Sequence, residues 1–241
     1  MGDPQQGEVH VFLKSHPDWV RPNHAAVDHV EMAQQVKKRC IATAVIRRIY
    51  LPAAFAALVA ALVALKPPAC VALYAGAAVY LAFAPAGALV RWRLDRRFPL
   101  AFAVYLLSLV AAGAVAAAVP PIRADYVKLG EAQARFFAEA TTCPMGWALV
   151  FLQALVLAPL VEEMLFRGIV FEEVKGRLGP AAAYVVSSLV FAILHKPGLA
   201  AVPIFIVALA LAFAYDRYGL PASILLHFLQ NAAALWLTKG G

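Results

Sequence analysis

Of the 241 residues, 63% are hydrophobic and 15% charged, a balance that excludes an ordinary water-soluble domain. The net charge of +7 raises the question of nucleic acid. The basic residues, however, stand beside the ends of apolar blocks and form no stripe, so they read as a topology signal and no nucleic-acid partner is expected.

In chain order, residues 1–45 form a hydrophilic segment, cytoplasmic or interfacial, and residues 46–241 a transmembrane domain. The start, Met1-Gly2-Asp3-Pro4, has neither the basic nor the apolar region of a cleaved signal peptide, so the first span is expected to act as an uncleaved signal. Gln6 stands where a myristoylation motif wants Ser or Thr. His10, His16, His24 and His29 have no Cys or carboxylate framework around them and read as solvated. Apolar blocks at 49–65, 69–90, 98–119, 146–166, 180–195, 199–215 and 220–237 each approach the roughly 20 residues that cross a hydrocarbon core. The expectation is an all-α polytopic bundle of about seven spans with its site inside the membrane, and residues 120–145 a polar loop. Cys40, Cys70 and Cys143 show no metal or redox spacing and receive no chemistry.

Apart from Lys14, Arg21 and Arg167, twelve basic residues fall inside if the N-terminus is cytoplasmic: Lys37, Lys38, Arg39, Arg47, Arg48, Arg91, Arg93, Arg96, Arg97, Lys175, Arg177 and Arg217. Six fall outside: Lys66, Arg123, Lys128, Arg135, Lys196 and Lys239. That bias predicts a cytoplasmic N-terminus and an outward C-terminus. An Ala-rich composition fits a bacterial inner membrane.

The informative residues are polar ones inside apolar blocks. Glu162, Glu163 and Arg167 interrupt the fourth block, and each costs about 2.5–3.5 kcal/mol at a span centre. Glu163 and Arg167, four apart, share a face and can pair, whereas Glu162 is rotated away and finds no partner in its own helix. Pro159 removes a backbone donor one turn earlier and is expected to open the helix. Glu172-Glu173-x-x-x-Arg177 repeats the spacing in charged surroundings before Gly179-Pro180, and reads as a solvated face. His195 ends the fifth block before Pro197, and His227 and Asn231 share a face of the last.

These groups can meet. If the fourth and fifth blocks form a hairpin turning at Gly176 to Pro180, the midpoint of Glu162 and His195 falls within the turn, and the two residues lie at one level. His227 and Asn231 lie about 10–17 Å beyond a turn near Asp216 to Pro221, which places all four in the cytoplasmic leaflet. A carboxylate beside an imidazole can hold a water and take its proton during attack on a carbonyl. A His/Asn pair supplies donors to the resulting oxyanion. No Gly-x-Ser-x-Gly surrounds Ser187 or Ser188, and no His-Glu-x-x-His is present.

Glu162-Glu163-x-x-x-Arg167, Phe191-x-x-x-His195 and His227-x-x-x-Asn231, in that order on separate membrane helices, resemble the three motifs of the CPBP family, the CAAX proteases and bacteriocin-processing enzymes also called Abi. The resemblance covers roughly 146–237. It implies an intramembrane glutamate endopeptidase in which Glu162 and His195 activate water, His227 and Asn231 form the oxyanion hole, and Glu163 and Arg167 hold the architecture. No cofactor is then needed. The alternatives are a zinc variant ligated by Glu162, His195 and His227 and a non-enzymatic immunity or transport protein, although no inverted repeat supports a transporter. The expected partners are the lipid bilayer and a peptide or protein substrate presented at the membrane, with Phe166, Phe191 and Phe228 as an apolar wall for a lipid chain or tail.

Overall fold

The computed structural model describes residues 50–90, 92–95, 98–195 and 198–239. The N-terminal segment with its four histidines, Cys40, Arg91, Arg96, Arg97, Lys196 and Pro197 lie outside the described residues. All seven apolar blocks are helices, and no strand occurs among the described residues. In chain order these are α1 (Tyr50–Leu65) and α2 (Ala69–Phe83), which tightens into a 3-10 turn over Ala84–Leu89. Then come α3 (Pro99–Ala118), α4 (Pro120–Ala140), α5 (Gly146–Leu178), α6 (Pro180–His195), α7 (Ala201–Tyr218) and α8 (Leu220–Lys239).

Four are long and apolar enough to cross a bilayer: Ala69–Leu89, Pro99–Ala118, Gly146–Leu178 and Ala201–Tyr218. α1 and α6 are apolar but short, and α8 carries the polar site residues that lower its hydropathy. Short or polar helices are tolerated in a membrane protein where they pack against longer neighbours instead of facing lipid alone.

α4 corrects the expected loop. Its two prolines occupy the first helical positions, where a missing N–H costs nothing, and good helix formers follow. It is amphipathic: Ile122 and Ala140 are buried while Arg123, Lys128, Glu131 and Arg135 are exposed. Asp125 accepts a hydrogen bond from the Ala200 amide at 3.1 Å, fixing α4 to the α6–α7 connection. At the other end of α4, Cys143 is disulfide-bonded to Cys70, 73 residues away. Cys70 and Cys143 therefore do carry chemistry, which local spacing could not reveal because the partners are far apart in the chain.

The opposite end of the bundle is polar. Lys175 pairs with Asp216, whose second carboxylate oxygen accepts from the Tyr184 hydroxyl at 3.1 Å. Arg93 donates to the Asp216 carbonyl at 3.2 Å, and the Asp95 amide to the Tyr218 carbonyl at 2.9 Å. Gly219 turns α7 into α8 at φ +93°, and a Cβ there would stand 1.7 Å from the Arg93 carbonyl oxygen, so only glycine fits. Glu173 and Arg177 form the expected surface pair. The turn between α5 and α6 falls at Gly179 alone, with Gly176 still helical.

Between these ends the core is built on α5. Phe166, Phe171 and Leu165 pack with Phe55 of α1, Phe191 of α6 and Tyr215 of α7. A second cluster joins α3 to α7 and α8 through Ala101, Ala112, Ala210, Ala214 and Ala222, small residues that let membrane helices approach closely.

Candidate active site

α5 does not break at Pro159. It widens into π-helical turns over Leu152–Leu157 and again over Met164–Phe171, the five-residue repeat that recurs at functional sites. Between the two stretches lie Glu162, 5% exposed, and Glu163, fully buried. The widened register turns both carboxylates inward, toward α6 and α8.

Glu163 and Arg167 pair at 3.0 Å with both side chains at 0% exposure. Arg167 also donates to the Ala208 carbonyl of α7 at 3.2 Å and lies over the Phe191 ring at 4.4 Å. The same Glu163 oxygen accepts from His227 Nδ1 at 3.0 Å. One buried ion pair therefore ties together α5, α6, α7 and α8, and each additional hydrogen bond offsets part of the cost of desolvating two charges.

Glu162 has different neighbours. Its Oε1 accepts from the Tyr80 hydroxyl of α2 at 2.5 Å. Its Oε2 is buried and has no hydrogen-bond partner among the described residues. Facing that oxygen are His195 Nε2 at 3.4 Å and His227 Nε2 at 3.8 Å. The remaining ring nitrogens fix the tautomers. His195 Nδ1 lies 2.8 Å from the Phe191 carbonyl oxygen, an acceptor only, so Nδ1 carries a proton and donates. His227 Nδ1 donates to Glu163 in the same way. In each neutral ring, Nε2 is then the unprotonated nitrogen, and both are aimed at Glu162.

Asn231 lines the same cavity, with its amide donating to the Ala154 carbonyl at 2.8 Å. The cavity holds about 220 Å³ and is lined by Glu162, His195, His227, Asn231 and Tyr80 together with Phe136, Phe137 and Leu73. All four residues expected to do chemistry therefore meet in one place, and the second Glu-Glu-x-x-x-Arg copy stays outside it. Tyr80 escaped sequence reasoning, because a single Tyr in an apolar helix carries no motif; Gln153 of α5, also on the cavity wall, escaped for the same reason. The apolar wall differs from expectation. Phe166 and Phe191 are core residues, 1% and 4% exposed, and neither they nor Phe228 line the cavity.

Among the described residues, no group of three His, Cys, Asp or Glu side chains is placed to hold a metal ion. No curated protein and no solved structure matches the chain. Residues 144–233 match the family model of the type II CAAX prenyl endopeptidase Rce1-like proteins, and Glu162, His195, His227 and Asn231 all lie within that matched segment.

Proposed function

We propose that the chain is an intramembrane endopeptidase of glutamate type. The observation that carries this reading is the bare Oε2 of Glu162 facing two Nε2 atoms at 3.4 and 3.8 Å, while the Nδ1 of each histidine is committed elsewhere. A substrate water can donate to that oxygen and be oriented by His195. As water attacks the scissile carbonyl, its proton passes to Glu162, the C–O bond forms, and the carbonyl oxygen becomes an oxyanion. Asn231, whose amide keeps one N–H beyond that given to Ala154, donates to the oxyanion, as does His227 from Nε2 in its doubly protonated form. Collapse breaks the C–N bond, and the proton held by Glu162 goes to the leaving amine. Tyr80 positions the carboxylate, and Glu163 with Arg167 positions His227.

The substrate is a peptide segment of a membrane-anchored or lipid-modified protein that reaches the cavity by lateral diffusion. The enzyme sits in a plasma membrane, bacterial by composition, with its N-terminus and the 91–97 segment cytoplasmic. The test compares Glu162→Gln with Glu173→Gln at equal expression. The first should abolish Glu162-dependent cleavage of membrane proteins, scored by mass spectrometry of new termini, and the second should leave it unchanged. Equal loss from both overturns the assignment.

A further inference from the structure

Two independent features give the bundle a direction. Arg93, Lys175, Arg177 and Arg217 gather at the end formed by the 92–95 segment and the α5–α6 and α7–α8 turns, and basic loops mark the cytoplasmic side. At the other end the Cys70–Cys143 disulfide ties the start of α2 to the α4–α5 connection, and disulfides persist in oxidising compartments outside the cytoplasm. α2 and α5 both run from the disulfide end to the basic end, so the two criteria select one orientation.

The cavity has a direction too. Toward the basic end its floor is solid: Leu165, Phe166, Arg167 and Phe171 are each 0–1% exposed. The polar cleft at that end, lined by Arg93, Glu172, Lys175 and Asp216, includes none of the four site residues. Toward the disulfide end the lining continues through Leu73, Val150 and Leu235, which pack in the same cluster as Cys143. Gln133, Phe136 and Phe137 of α4 roof it, and Arg123, Lys128, Glu131, Arg135 and Glu139 of the same helix are exposed.

We propose that the cavity takes its substrate from the extracytoplasmic, disulfide-bearing end beneath α4. Its substrates are then extended segments of membrane-anchored proteins on the outer side of the membrane, with an apolar group seated against Phe136, Phe137 and Leu73. This rests on the protease reading above. It removes cytosolic prenylated tails from the substrate class, despite the name of the matching family model, because such a tail faces the closed floor. A cavity of about 220 Å³, below the roughly 300–1,000 Å³ of common ligand pockets, admits an extended chain and excludes an intact helix.

The access face is read without any substrate, by reaction with a charged, membrane-impermeant methanethiosulfonate on the full chain carrying Cys40→Ser. Three single replacements are compared in spheroplasts and in inverted vesicles: Ala234→Cys in the cavity wall, Gly130→Cys on α4, and Gly176→Cys near the basic end. The two glycines have open space where a Cβ would stand. Ala234→Cys and Gly130→Cys should label in spheroplasts and lose labelling in inverted vesicles, with Gly176→Cys the reverse. Labelling of Ala234→Cys only from the cytoplasmic side, or of Gly130→Cys from that side, overturns the proposal. In parallel, termini that depend on Glu162 are mapped in cells. Termini on outer segments support the proposal, and termini on cytoplasmic segments overturn it while leaving the protease reading intact. No Glu162-dependent termini would overturn the protease reading, with the labelling still deciding the access face.

Discussion

The Asn231 side-chain amide donates to the Ala154 carbonyl at 2.8 Å, and the reason that carbonyl is free lies five residues along, at Pro159. In the π-helical register of this stretch the Ala158 amide donates to Gln153, so the next donor in the series, to Ala154, would be the N–H that proline lacks. α8 supplies the missing donor, and in doing so fixes the Asn231 amide at the cavity wall.

Pro159→Ala is therefore expected to fold normally but to lose activity. Restoring the N–H lets α5 satisfy Ala154 by itself and frees Asn231 to rotate. On the role proposed for Asn231, displacing an oxyanion donor costs about 10²-fold in rate. Asn231→Ala should lose activity to a similar extent and also lower thermal stability, since it leaves the half-buried Ala154 carbonyl unpaired at a cost of about 1 kcal/mol. The contrast between the two, measured as kcat on a membrane-anchored substrate and as Tm in detergent, separates loss of positioning from loss of a structural contact.

Tyr80 donates to Glu162 Oε1 at 2.5 Å, the oxygen that does not face the histidines. Tyr80→Phe removes that hydroxyl and leaves the ring packing against Phe55. A hydrogen bond to a charged group contributes about 1.5–3 kcal/mol, so kcat should fall about 10- to 100-fold with little change in KM. An unchanged kcat would mean that the carboxylate is positioned by the histidines alone.

Much of this site was legible in the sequence. Charged groups in an apolar block stand out because they are costly there, and a hairpin turning at Gly176 to Pro180 already set Glu162 and His195 at one level. What stayed hidden depends on contacts between distant helices. Tyr80 looks like any aromatic residue in a span. The Cys70–Cys143 pair has no local spacing, and α4 hides its apolar face among charges that suggested a loop. The π-helical register, which lets α5 continue through Pro159 instead of opening, has no sequence signature at all.

Activity should survive strong chelation, and purified protein should lack stoichiometric zinc. Glu162, His195 and His227 are zinc-ligand types, but the fourth residue of the site, Asn231, is a poor zinc ligand and a good oxyanion donor. The assay is turnover after prolonged chelator treatment, with metal content measured on the same sample. Recovery of chelated enzyme by zinc alone would assign Glu162, His195 and His227 to a metal shell.

The Glu163–Arg167 pair allows architecture and chemistry to be pulled apart. Arg167→Met alone strands a fully buried carboxylate and the Ala208 carbonyl, and breaking a buried pair in this way costs about 3–5 kcal/mol. Low expression and a large drop in Tm are expected. Replacing both partners, Glu163→Leu with Arg167→Met, removes the stranded charge and should recover most of the lost stability, as apolar substitutes for buried pairs often do. Activity should not return with it. His227 Nδ1 has lost the acceptor 3.0 Å away that set its tautomer, so its Nε2 no longer keeps a defined proton state toward Glu162. A double variant that regains both Tm and turnover would reduce the pair to a packing element and leave His227 without its positioning partner.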